Sequence, residues 1–100
     1  MAEVVVLYKT PKDTAAFDKH YFEKQIAKKI PGLRKFAVSQ GPVATPAGPS
    51  GFHLIAILTF DNLAAIQAGF GSAEGQAAGA DVQTFATGGA DMLLFDTRVV

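Results

Sequence analysis

The sequence predicts an α+β fold of order βαββαβ, a four-stranded antiparallel sheet with its helices on one face. Three observations carry this. Apolar, strand-length runs open the chain (EVVVLYK, 3–9), recur at its middle (GFHLIAILTF, 51–60) and close it (ADMLLFDTRVV, 90–100). A fourth run, LRKFAVSQ (33–40), alternates Phe36 and Val38 with Leu33, Lys35, Ala37 and Ser39, as a half-exposed strand does. Segments with helical spacing lie between the strands, and Gly- and Pro-rich breakers mark the junctions. Two β-α-β halves in this order form the ferredoxin-like plait.

In chain order, 3–9 is β-branched and buried. TPKD breaks it, and Asp13 or Thr14 caps a helix over AAFDKHYFEKQIAKKI. Phe17 and Tyr21 share one flank of that helix. Phe22, Ile26 and Ile30 share another, so the helix is gripped from two sides or bends near Gln25. IPG (30–32) stops it. GPVATPAGPSG (41–51) reads as a mobile connecting loop, placed to act as a rim or lid near His53. After the strand at 52–60, Asp61 caps NLAAIQAGF, whose Leu63, Ile66 and Phe70 share a face. Gly71 interrupts. Ser72 caps a further helix, AEGQAAGADVQTFA, with Ala73, Ala77, Ala80 and Phe85 as a small-residue packing face. TGG turns the chain into the last strand.

One hundred residues make one domain, 1–100, with 49% apolar and 18% charged side chains, which is a globular composition. The formal charge is zero, which argues against nucleic acid or an anionic membrane as partner; the lysines of the first helix are interleaved with Asp18 and Glu23. There is no cysteine, so disulfides, thiolate chemistry and Cys-ligated metals are excluded. The opening MAEVVVLYK has no basic region or long apolar stretch, so neither a signal peptide nor a membrane span is expected, and the cytoplasm is the expected compartment.

In the strand at 51–60, Phe52, Leu54, Ala56, Leu58 and Phe60 take one face; His53, Ile55, Ile57 and Thr59 take the other. Both are largely apolar, as in 4–8 and 92–95, yet helices on one side cover only one face. The expected cover for the second is another copy of the chain, giving a symmetric homodimer.

With that order established, the sequence resembles the EthD family of the dimeric α+β barrel superfamily over almost its whole length. VVLYK, FDKHYFEK and KKIPGLRKFAVSQG carry the resemblance, and FDNLAAIQAGFGSAEGQAAGAD is its most specific part. It departs from the family at KQIAKKIPG, where Gln25 stands in place of an expected His-x-Pro, so no role of that histidine carries over. The resemblance implies a small homodimer linked to breakdown of ethers and other hydrophobic compounds, associated with oxidoreductase chemistry.

His53 is the candidate catalytic residue. By alternation it joins Ile55 and Ile57 on the face assigned to the barrel interior, where a neutral imidazole can exchange a proton. The plainer reading is a histidine at a strand start, hydrogen-bonded to the adjacent loop. Tyr21, Tyr8, Phe17, Ile55 and Ile57 are the candidate ligand contacts, the tyrosines offering a polar tip, and each also reads as packing. His20 is expected at the surface, and Asp61 and Asp81 are expected to be structural. His20 and His53 alone make no metal site, GFGSAE lacks the context of a dinucleotide loop, and no bound cofactor is expected. The expected function is binding of a small hydrophobic molecule in a cavity between sheet and helices. The alternatives are catalysis there, a non-catalytic carrier module, or a purely structural dimer.

Overall fold

The computed structural model describes residues 1–24 and 26–100. Gln25, and with it the expected bend and the departure from the family pattern, lies outside the described residues. The elements are β1 (Ala2–Lys9), α1 (Thr14–Lys24), a 3₁₀ turn (Ile26–Lys29), β2 (Lys35–Val38), a small hairpin of β3 (Ala44–Thr45) and β4 (Gly48–Pro49), β5 (Phe52–Phe60), α2 (Leu63–Gly71), α3 (Ala73–Phe85) and β6 (Ala90–Asp96). The four main strands form one antiparallel sheet in the order β2-β5-β1-β6, the ferredoxin-like plait.

Alternation in β1 and β5 decides where the core lies. The pairs Val4↔Leu58, Val6↔Ala56 and Tyr8↔Leu54 put six buried side chains on one face of the sheet, and Phe17, Tyr21, Ile30, Ile66 and Ala78 close over it. Directly opposed residues share a face, so Val5 with Ile57 and Leu93, and Leu7 with Ile55, line the other. Among the described residues no helix covers that side: Ile57 is 41% exposed, Leu93 55% and Phe95 42%. The two apolar faces are therefore present as expected.

Asp13 caps α1 by accepting from the Ala16 N–H. For α2 the cap is Asn62, which accepts from the Ala65 N–H, and not Asp61; Asp61 instead binds Arg34 through two hydrogen bonds. Ser72 caps α3 by accepting from the Gly75 N–H and donates to the Gly69 carbonyl. That tight corner brings the helices so close that a Cβ on Gly75 would collide with the Gly69 carbonyl and the Phe70 backbone. Hence the glycine in FGSAEGQ.

Three local expectations are corrected. The segment 41–51 is not a featureless loop: Ala44 pairs with Pro49 and Thr45 with Gly48, and Ser50 Oγ donates to the Val43 carbonyl. Phe22, expected on a packing flank with Ile30, is exposed while Ile30 is buried. The packed face of α3 holds Gly75 and Ala78, with Val82 and Phe85 beside them, whereas Ala73, Ala77 and Ala80 are exposed. In a helix so rich in Ala and Gly, spacing alone leaves the rotational phase open.

Candidate functional site

A register shift in the sheet reshapes the expected site. Tyr8 pairs with Leu54 but Lys9 pairs with Phe52, so His53 is an extra, unpaired residue in a bulge of β5. Strict alternation therefore fails at His53. Its ring meets Phe17 of α1 edge-on at 5.0 Å, and its Nε2 lies 2.6 Å from Asp18 Oδ1. The expectation that His53 shares the open sheet face with Ile55 and Ile57 is overturned by the bulge, and its partner is a helix carboxylate and not the adjacent loop. Ile55 and Ile57 remain on the open face, away from Tyr8, Tyr21 and Phe17.

Tyr8, Tyr21 and Phe17 do come together. Their rings pack with centroids 5.2 to 5.6 Å apart, Phe17 stacked on Tyr21 and both edge-on to Tyr8. Tyr8 and Tyr21 face a cavity of about 50 Å³ between sheet and helices, walled by Val6, Ile30, Phe36, Leu58, Val82 and Phe85, with the half-exposed Met92 at its edge. Phe17 stands behind them, between this cavity and His53.

The polar equipment of the cavity is small. The rings of Tyr8 and Tyr21 pack edge-on with centroids 5.5 Å apart, and the two hydroxyls influence each other's ionisation. Burial pushes the Tyr8 hydroxyl up to about 12; the neighbouring Tyr21 hydroxyl opposes this and the Asp81 carboxylate nearby adds to it. Tyr21 is raised further still, by burial first and then by the neighbouring Tyr8. Both phenols therefore keep their protons, and each offers a hydroxyl donor at the cavity wall. Asp81 lines the same cavity from α3, and His20 holds it from outside, Nε2 2.8 Å from Oδ1, with the imidazole stacked on Phe85.

Asp81 and His20 are the residues that sequence reasoning missed. His20, expected at the surface, is partly buried, and Asp81, expected to be structural, faces the cavity. The two are 61 positions apart, and nothing local to either announces the pair. The one available signal was the i, i+4 spacing of Asp81 and Phe85 on a single helix face.

The buried phenols yield a direct expectation. The chain has only two tyrosines, so an alkaline absorbance titration reports this site alone. In the unfolded chain both ionise near pH 10; in the fold Tyr8 is held to about 12 and Tyr21 higher. Raised values favour the neutral form in the fold, so stability is intact below pH 10 and falls between 10 and about 12. Tyrosinate absorbance should then rise only as the protein unfolds. A reversible titration near pH 10 in folded protein would contradict the buried pair.

Among the described residues, no three His, Cys, Asp or Glu side chains gather as a metal site, and no helix is long and apolar enough to cross a membrane.

Residues 9–89 match the model of the EthD domain. A protein of Rhodococcus erythropolis, described as an uncharacterized 11.0 kDa protein in the thcB-thcC intergenic region, is 39% identical over 102 residues, covering 100% of this chain and 98% of that one. The crystal structure of an ethyl tert-butyl ether D (EthD) family protein from Bacillus halodurans superposes with a TM-score of 0.88 at 33% identity, over 98% of this chain and 99% of that one. SnoaB, a cofactor-independent oxygenase from Streptomyces nogalater solved as a point mutant, shares the fold at 14% identity (TM-score 0.68; 99% and 94% covered). Other proteins of the same fold, 14 to 18% identical, are described as dimeric.

Proposed function

The chain belongs to the EthD family, and from that premise we propose that it is a cytoplasmic homodimer that binds a small hydrophobic molecule of the ether type in the cavity between sheet and helices. The observation that carries this is a pair of neutral phenols, Tyr8 and Tyr21, facing a mainly apolar cavity. An ether oxygen only accepts hydrogen bonds, and the Tyr8 hydroxyl, kept protonated by burial, is a donor for it. Apolar walls with few placed polar groups are the usual make-up of a small-molecule site. About 50 Å³ is well below the roughly 150 Å³ that holds a benzene ring. The cavity therefore takes the oxygen and one short arm of such a molecule, while the flexible Met92 side chain yields to the rest.

Binding of this kind serves oxidoreductase-linked breakdown of hydrophobic compounds, as the family name of the Bacillus protein and the oxygenase among the fold neighbours suggest. The role is capture and orientation: the polar side-chain groups of the cavity are the two tyrosine hydroxyls and the Asp81 carboxylate. His53, the sequence's catalytic candidate, stands outside it beyond Phe17. Ile55 and Ile57, the other expected ligand contacts, lie on the open face, which is assigned to the contact between two copies; several fold neighbours are described as dimeric.

The test is Tyr8→Phe titrated with ethyl tert-butyl ether by calorimetry. Removing one hydroxyl should weaken binding about five- to tenfold, the worth of one hydrogen bond, while the dimer persists. Equal affinity in wild type and Tyr8→Phe would contradict the proposed contact.

A further inference from the structure

We propose that the crevice beneath the β3–β4 hairpin is a second ligand site, where His53, held by Asp18, accepts the acidic hydrogen of a ring-sized phenol. The crevice has a volume of about 840 Å³ and is lined by Phe22 of α1, Val38, Pro42 and Val43 before the hairpin, and Phe52 and His53 of β5. That is many times the internal cavity and within the usual range for organic ligands. A six-membered ring, too large for the internal cavity as it stands, fits here.

Three independent features converge on His53. The bulge turns its side chain off the open sheet face and toward the helix side, and bulges beside binding sites commonly re-aim a side chain in this way. The carboxylate of Asp18 only accepts hydrogen bonds, so in the neutral imidazole Nε2 carries the proton shared with it and Nδ1 is left as the acceptor. Among the described residues Nδ1 has no hydrogen-bond partner. Finally, several polar side chains around it are engaged: Thr10 donates to the Gly51 carbonyl, Ser50 to the Val43 carbonyl, and Ser39 accepts from the Ile55 N–H, with Gln40 also in the lining. The imidazole is thus a ring-nitrogen acceptor that a ligand in the crevice meets beside the apolar walls, with Asp18 and Gln40 also in the lining.

The chemistry balances without a co-reactant. The phenol O–H bond breaks, its proton forms the Nδ1–H bond, and the electron pair stays on oxygen as phenolate. Asp18 keeps its negative charge and stabilises the imidazolium. An alcohol or ether lacks a hydrogen acidic enough for this transfer, so the crevice and the internal cavity select different molecules. Phe17 separates them, touching His53 on one side and both tyrosines on the other.

The full chain is titrated with 4-nitrophenol and with nitrobenzene, the same ring without the hydroxyl, in wild type, His53→Gln and Asp18→Asn. In wild type, 4-nitrophenol should bind about tenfold more tightly, as expected for a hydrogen bond with charged character, and its phenolate band should grow on binding. His53→Gln should abolish that preference. In Asp18→Asn the amide oxygen still accepts from Nε2, so the phenol should still bind, but the phenolate band should no longer grow. A merely structural His53–Asp18 tie would not move that band. Should His53→Gln fail to fold, the two probes on wild type and the band in Asp18→Asn still decide. Equal binding of both probes to wild type, or a phenolate band that grows equally in Asp18→Asn, would overturn the proposal.

Discussion

Phe17→Ala is expected to lower the unfolding free energy by about 3–5 kcal/mol, the usual cost of truncating a buried phenylalanine. The ring is almost fully buried and packs against Tyr8, Tyr21, His53 and Phe85, with centroids 5.0 to 5.6 Å away. Its loss leaves a hole where α1, α3 and both central strands meet. Domains of this size are stable by only about 5–15 kcal/mol, so the variant should sit near the edge of folding. Denaturant unfolding followed by circular dichroism measures the change directly. A loss below about 1 kcal/mol would mean that Phe17 is not the keystone of this cluster. Phe17→Leu, which keeps most of the volume, should fold and open a path between the internal cavity and the crevice.

Ile57→Lys should convert the dimer to monomer. Ile57 lies at the centre of the open face, with Val5 opposite it on β1 and Ala37 on β2. Next to Val5 on its other side is the exposed Leu93 of β6. An ammonium group placed at the middle of an apolar contact between two copies loses its hydration without gaining a partner, at a cost of several kcal/mol. On a free monomer surface the same substitution would be nearly neutral. Sedimentation at micromolar concentration should give twice the chain mass for wild type and the chain mass for Ile57→Lys. A monomeric wild type, or a variant that stays dimeric, would remove the open face as the interface.

How far the sequence could be read depended on the kind of pattern involved. Alternation in β1 and β5 repeats over eight and nine residues, so both faces of the sheet and the plait itself were legible. Tyr8, Tyr21 and Phe17 were legible for the same reason: each lies on the buried side of a regular element. His53 was misplaced because one unpaired residue in a bulge reverses parity, and no residue type marks that position. The packed face of α3 was misread because small residues on all sides leave its rotation unset. The Asp81–His20 pair was invisible because a contact between helices distant in sequence has no local signature. The hairpin at 44–49 hid within a stretch whose Pro and Gly content reads as loop.

The central claim is that a small apolar molecule enters the cavity between sheet and helices with its oxygen on Tyr8. The chain has two methionines: Met92 at the edge of that cavity and Met1 at the terminus. The most direct measurement is therefore the NMR signal of the two ¹³C-labelled methionine methyls during titration with ethyl tert-butyl ether. The Met92 methyl should shift saturably, with the same midpoint as calorimetry, and this midpoint should move to higher concentration in Tyr8→Phe, while Met1 stays still. Binding by calorimetry with an unmoved Met92, or a Met92 shift that never saturates, would place the ligand elsewhere and contradict the account.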